Sequence, residues 1–304
     1  MTARTRGVPR LRQSGERDTM PFVPSSSTMI TVAPTGAETA KSDAPALPVT
    51  LDELVAAAVA SEAAGAAVVH VHVRDASTAP TLDPVRLKDT VAALRDATTL
   101  VVQLSTGGSV HDPLEARLAV LDAEPDSCSL TCGTVNFGSE VFLNPWPFMV
   151  ELYQRTQQLE VVPEFELFDL GHVTSMNRLL DKFGPPYGGQ VHCDLVMGVP
   201  GGMPGTAAAL VAAVAALPDG SSWSATGVGR TSLPVALAAL SCGGHLRVGM
   251  EDTLTFAAGQ PVRDNAQLVE RAAALSTVAG RPPLSTEDAR ALLKVRDRRG
   301  KGVA

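Results

Sequence analysis

The sequence predicts an α/β chain of the TIM (β/α)8 barrel class, a single domain behind a short N-terminal extension. Three observations carry that expectation. Short β-branched runs alternate with Ala- and Leu-rich amphipathic segments from Met29 onward. Several runs, such as AAVVHVHV and LVVQLS, are apolar at nearly every position, as parallel strands covered on both faces are. The alternation recurs eight times, the rhythm of a barrel of about 250 residues. A doubly wound sheet would alternate in the same way, but no G-x-G-x-x-G follows an early strand, and GVGRTS after the seventh run is too loose to count.

The expected strands are Met29–Thr35, Ala67–Arg74, Leu100–Ser105, Ser127–Cys132, Glu164–Phe168, Gln190–Met197, Ser222–Val228 and His245–Met250. Between them the helical period marks Leu51–Ala63 after the cap-forming Thr50, then Val85–Asp96, Leu114–Leu121 and Pro147–Gln158. Thr174–Lys182, Thr206–Leu217, Ser232–Ser241 and Ala266–Val278 follow. Ser285, with Asp288 three residues on, announces a further short helix by a capping-box spacing. Residues 1–28 stand apart: five Arg, several Ser and Pro, and no hydrophobic period mark a disordered or non-native extension, with Met20 or Met29 as alternative starts. The segment has no apolar central stretch of a secretory signal. The barrel is expected over 29–304.

Composition narrows the function. Lys and Arg number 25 against 32 Asp and Glu, a formal net charge of −7, which argues against a nucleic-acid partner. The longest apolar run, Ala207–Leu217, is about half of what a bilayer-spanning helix needs, so no membrane role is expected. Four cysteines without a Cys-x-x-Cys pair form no disulfide framework and suit a reducing, cytoplasmic setting.

In such a barrel the chemistry lies at the C-terminal ends of the strands. His70 and His72, in VVHVHVRD, are two apart on a strand and so face one side, a natural half-site for Zn²⁺. A lone strand histidine is usually a satisfied core residue; two at this spacing favour a metal. The eighth strand ends in HLRVGMED, and Glu251 from it is the expected third ligand, leaving positions open for a substrate. Arg247 and Asp252 from the same segment are expected to form a charge-assisted pair in which Asp252 stays ionised and can take a proton; a plain rim salt bridge is the alternative. Ser105-Thr106-Gly107-Gly108 after the third strand offers hydroxyls and close backbone N–H groups to an anion. Thr131 ends the fourth strand. Glu164 and Glu166 share a face of the fifth, an acidic pair that needs a partner. His172 and His192 could join the metal but read more simply as polar core residues.

Together these segments resemble a known family. TGAE (35–38), HVHVRD (70–75), STGG (105–108), SLTCGTVNFG (129–138), PEFELFDLGH (163–172), MGVPGG (197–202) and RVGMED (247–252) occur in the order and spacing of the β-keto acid cleavage enzymes, over essentially all of residues 29–295. The resemblance implies a Zn²⁺ site of His70, His72 and Glu251, and an Arg247–Asp252 dyad. It further implies substrate-carboxylate contacts from Ser105, Gly108 and Thr131, an active-site Glu166, and Glu38 near the variable end of the substrate. It implies acyl exchange between a β-keto acid and acetyl-CoA, giving acetoacetate and a new acyl-CoA, in a homo-oligomer. Glu38 hints at a cationic tail, though a network role would explain it equally. Departures from the family pattern are Thr253-Leu254-Thr255 after RVGMED, Val173-Thr174 after DLGH, and His192-Cys193-Asp194 on the sixth strand, all bearing on the substrate side chain.

Two other readings compete. A metal-dependent amidohydrolase is also a barrel with HxH and could use His172, His192 and Asp252, but its HxH would follow the first strand, and the fifth strand here has no lysine. A non-enzymatic scaffold on a retired barrel would not need a metal trio, an Arg/Asp dyad and an anion loop together.

Overall fold

The structure, a computed structural model, describes residues 26–298. Eight parallel strands close into a barrel: β1 (Ile30–Val32), β2 (Val68–Val71), β3 (Val101–Leu104), β4 (Ser127–Thr131), β5 (Val162–Leu167), β6 (His192–Met197), β7 (Ser222–Gly227) and β8 (His245–Val248), with β8 pairing back to β1. All eight expected strands are present, most of them shorter than their apolar runs. Residues 1–25 and 299–304 lie outside the described residues, and most of the expected extension falls there. Thr28, assigned to that extension by sequence, is instead fully buried and bonded to the chain at Pro282 and Leu284.

Helices follow each strand because a cap residue ends most of the connecting loops. Helix α1 (Leu51–Ala63) begins in a capping box in which Thr50 and Glu53 bond each other's backbone N–H. Helices α2 (Pro84–Ala97), α3 (Leu114–Ala119), α4 (Trp146–Leu159), α5 (Leu170–Phe183), α6 (Ala207–Val214), α7 (Ser232–Ser241) and α8 (Asn265–Val278) complete the ring; Asp83, Asp169, Thr206 and Asp264 accept at the starts of α2, α5, α6 and α8. Helix α9 (Thr286–Leu293), capped by Ser285, closes the N-terminal mouth, where Ala289 and Leu293 pack on Met29, Ala67, Val68 and Val101.

The strands are not apolar on both faces, contrary to the sequence expectation. Val69, Val71, Val102, Leu104, Leu130, Phe165, Leu167, Leu195, Leu246 and Val248 belong to the main apolar core. The alternate positions, His70, Gln103, Ser129, Glu164, Glu166, His192, Asp194, Thr226 and Arg247, are buried and polar. Period two therefore sends the apolar set outward to the helices and the polar set to the barrel axis. Hydrogen bonds among these groups satisfy that interior: His192 lies 3.2 Å from Glu164 and bonds Ser222 and Ser224, while Thr226 donates to Asp194.

Three two-stranded antiparallel ribbons rise after β2, β4 and β8: Val73–Arg74 with Pro80–Thr81, Val135–Phe137 with Glu140–Phe142, and Thr255–Ala257 with Gln260–Pro261. The expected strand through Arg74 therefore breaks at His72, because Val73 leaves the barrel to pair with Thr81.

A buried polar clamp ties the ring to its floor. Asp126 accepts from the β3 backbone at Val102 (3.1 Å), from Arg95 on α2 (2.9 Å) and from Arg290 on α9 (3.0 Å). Asp126→Ala strands a buried guanidinium and a backbone donor, so chemical denaturation is expected to read a loss of about 3–5 kcal/mol; a change below about 1 kcal/mol, the level of a surface pair, would contradict the clamp.

Candidate active site

Most of the residues singled out by sequence converge on one cavity of about 230 Å³ at the C-terminal mouth of the barrel. Its lining includes Glu38, His70, His72, Ser105, Gly108, Glu166, Arg247, Glu251 and Asp252.

His70 comes from β2 and His72 from the residue just beyond it; their ring centroids are 5.4 Å apart. Glu251 reaches them from the turn after β8, its Oε1 3.8 Å from His70 Nε2 and 3.6 Å from His72 Nε2. Two glycines make that approach possible. A Cβ on Gly249 would meet the Ala33 carbonyl at 1.9 Å, so only glycine lets β8 run this close to β1. Gly36, at φ +66°, lies under Glu251, where a Cβ would stand 2.6 Å from its Cγ. The turn is pinned further by Glu251 N–H to Ala33 O (3.1 Å), and by Asn265, which bonds Met250 N–H and the Pro34 carbonyl.

The donor set suits a divalent cation. Gln103 Oε1 lies 2.5 Å from His70 Nδ1, an acceptor that fixes the tautomer and leaves Nε2 free to bind. Burial pushes His70 down to about 4, so it is a neutral imidazole near pH 7. Burial alone would raise Glu251, but Arg247 and the two histidines outweigh it and hold the carboxylate well below its usual range. Glu251 Oε2 is buried without a hydrogen-bond partner, an orphaned acceptor that a cation would satisfy. Among the described residues, this trio forms the one cluster of three or more His, Cys, Asp or Glu whose ligand atoms all lie within 4.8 Å of one another.

Arg247 sits at the centre. Its Nε and Nη2 donate to Asp252 (3.3 and 3.2 Å), Nη1 donates to Glu166 (3.2 Å), and Nη2 also bonds Glu251. Asp252 differs from expectation: burial overrides the attraction of Arg247 and pushes its carboxyl up to about 7, so it exchanges a proton near neutrality instead of staying fixed as an ion. Glu166 is likewise raised by burial.

Ser105 and Gly108 line the cavity, whereas Thr106 turns away to bond Ser129. Thr131 does not line it. Its hydroxyl donates to Glu166 Oε2 (2.7 Å) and so supports that carboxyl. Glu38 is exposed on the loop after β1, beside Arg74, which holds that loop through the carbonyls of Gly36 and Thr39. His172 stays on α5, accepting from Phe168 N–H, and His192 stays with Glu164, so neither joins the trio. Gln103 and Arg74 were missed by sequence reasoning. A glutamine in register with His70, inside an otherwise apolar run, was the available signal for the first.

Calorimetric titration of metal-free protein is expected to show about one Zn²⁺ per chain. Glu251→Asn should abolish it, and Gln103→Leu should weaken it by about 10–100-fold. Gly36→Ala should weaken it as well by displacing Glu251. Unchanged affinity in Glu251→Asn would refute the trio.

Comparison with known proteins fits this geometry. A family model described as beta-keto acid cleavage enzyme matches residues 27–295. A 3-keto-5-aminohexanoate cleavage enzyme of Acetoanaerobium sticklandii is 36% identical over 271 residues, 88% of this chain and 98% of that one. A 3-oxoadipate:acetyl-CoA acetyltransferase of Cupriavidus necator is 35% identical, covering 87% and 94% of the two chains. A 3-dehydrocarnitine:acetyl-CoA trimethylamine transferase of Rhizobium meliloti is 33% identical, covering 92% and 100%. Among solved structures, apo ObcA superposes with a TM-score of 0.72 at 22% identity, over 83% of this chain and 66% of that one, a likeness of fold. With its barrel, its His-His-Glu trio and a match spanning residues 27–295, the chain belongs to the beta-keto acid cleavage enzyme family.

Proposed function

We propose that the protein is a zinc-dependent acyltransferase that converts a β-keto acid and acetyl-CoA into acetoacetate and a new acyl-CoA. The observation that carries this reading is the meeting of the His70–His72–Glu251 trio with Asp252, itself bonded to Arg247, at one cavity. Two imidazoles and a carboxylate suit Zn²⁺, which when bound supplies Lewis acidity toward the substrate's keto oxygen.

The chain's own residues account for the rest. Ser105 and the backbone at Gly108 bind the substrate carboxylate and aim the adjacent methylene at Asp252. Asp252 removes one proton from that carbon, and Arg247, donating to both carboxylate oxygens, keeps it in place. The resulting carbon nucleophile attacks the thioester carbonyl and releases the CoA thiolate. The thiolate then adds to the original keto carbon. The bond between that carbon and the former methylene breaks, giving the new acyl-CoA and the acetoacetate carbanion. Asp252 returns its proton to that carbanion, so no proton, electron or group is left over. Glu166, supported by Thr131, keeps Arg247 oriented from the opposite end of the guanidinium.

A cytoplasmic homo-oligomer is part of this proposal. The four cysteines are free, and Val211 on α6 with Leu233 and Leu237 on the adjoining α7 are exposed and apolar. No described helix is long and apolar enough to cross a membrane.

The test is a mass-spectrometric turnover assay with acetyl-CoA and β-keto acids of cationic, anionic and neutral tail. Acetoacetate and a matching acyl-CoA are expected from at least one substrate, lost on chelation, and reduced at least about 10²-fold in Asp252→Asn. A silent panel from zinc-loaded protein would overturn the proposal.

A further inference from the structure

We infer that this enzyme selects β-keto acids whose variable tail is uncharged and apolar, an inference that rests on the acyl-exchange reading above. The cavity lining divides into two sets. Glu166, Glu251 and Asp252 form one bonded network through Arg247, with His70 and His72 beside Glu251, while Glu38 stands apart from it at the mouth. The larger apolar side chains, Val110, Phe137, Phe142, Phe168, Val196 and Val228, line the same cavity and pack together as a separate apolar cluster. Three phenyl rings dominate it. Phe137, Phe142 and Phe168 meet edge to face, at centroid distances of 6.2, 6.2 and 6.4 Å. The ribbon after β4 brings two of them and the end of β5 the third. With the substrate's carboxylate at Ser105 and Gly108 and its keto group at the trio, the tail has this wall to meet.

Three phenyl rings could also cage a quaternary ammonium, but the charge behind them argues otherwise. Arg117 is 2% exposed, and its guanidinium carbon lies 4.8 Å from the Phe142 centroid. Its hydrogen-bond partners are the neutral oxygens of Thr106, Leu143 and Asn144, and among the described residues no carboxylate lies within ion-pair distance. A buried cation without a direct ion pair therefore already stands behind the wall, Glu166 and Asp112 acting on it only through space, and a second cation on the tail would be repelled. Glu38, the residue that hinted at a cationic tail, is exposed at the mouth of the cavity, where the charge of Arg74 opposes its own. An anionic tail would lose its hydration against phenyl rings with Arg117 out of reach behind them. An apolar tail alone gains, by a factor of several in affinity for each methylene withdrawn from water.

The test uses zinc-loaded full-length enzyme with 3-oxohexanoate, 3-dehydrocarnitine and 3-oxoadipate, each with acetyl-CoA. The kcat/KM for 3-oxohexanoate is expected to exceed the other two by at least about tenfold; an equal or better charged substrate would overturn the inference while leaving acyl exchange intact. If none of the three turns over, acyl exchange itself fails on these substrates. The wall is then read by calorimetry with inert 3-hydroxyhexanoate, carnitine and 3-hydroxyadipate, where the first is expected to bind at least about tenfold tighter and equal binding overturns the inference. Phe137→Glu and Val228→Glu, both at half-buried positions, should shift the ratio toward 3-dehydrocarnitine. If they raise the KM for acetyl-CoA and leave the ratio unmoved, the wall serves the coenzyme arm and the inference is wrong.

Discussion

The site depends on one buried guanidinium. Arg247 projects from β8 into the barrel axis, 6% exposed, and bonds Glu166 from β5 and both Glu251 and Asp252 from the turn that follows β8. Burial works against its charge, but the surrounding carboxylates outweigh burial and hold it protonated above its ordinary value. Removed from that centre, the acids would be left as buried like charges with no counterion. The same cation gives the two neighbouring carboxyls different behaviour. Glu251 is held as an anion, fit to ligate; Asp252 sits near neutrality, fit to carry a proton. Neighbouring acids pushed apart in this way divide the labour of a site between ligand and base.

The polar axis explains how far the fold could be read from the chain. The eight-fold alternation was legible because apolar helix stripes and β-branched runs carry different periods, and because caps such as Thr50 and Ser285 mark helix starts locally. Strand ends were read too long for a physical reason. Val73 is as β-prone in a mouth ribbon as in a barrel strand, and only its partner, Thr81, decides which it joins. The burial pattern was misread for a related reason: an apolar run looks two-sided until the polar residues within it, His70 and Gln103, are seen to lie inward in register.

Within the site, legibility followed covalent proximity. The His70/His72 pair and the Arg247, Glu251 and Asp252 segment are each local, and their joining follows from the barrel's closure. The bond from Thr131 to Glu166 could not be read because that partner is 35 positions away on the next strand. The phenyl wall escaped notice because it gathers Phe137 and Phe142 from a ribbon and Phe168 from a strand end, with no spacing in common. Arg117 escaped too: on α3 it reads as a surface cation, and only the structure buries it under Phe142 and Phe148.

The family is secured by a match over nearly the whole barrel, whereas the likeness to ObcA extends to fold alone at 22% identity. The central claim, that the acetyl group of acetyl-CoA is exchanged for the acyl group of a β-keto acid, can be followed carbon by carbon. With acetyl-CoA labelled at both acetyl carbons, carbon-13 spectroscopy of the products is expected to find all label in C3 and C4 of acetoacetate and none in the new acyl-CoA. Label recovered in free acetate would mean that water and not the carbon nucleophile takes the acetyl group, and an unlabelled carboxylic acid in place of the acyl-CoA would mean that water and not the thiolate cleaves the substrate; either would contradict the account.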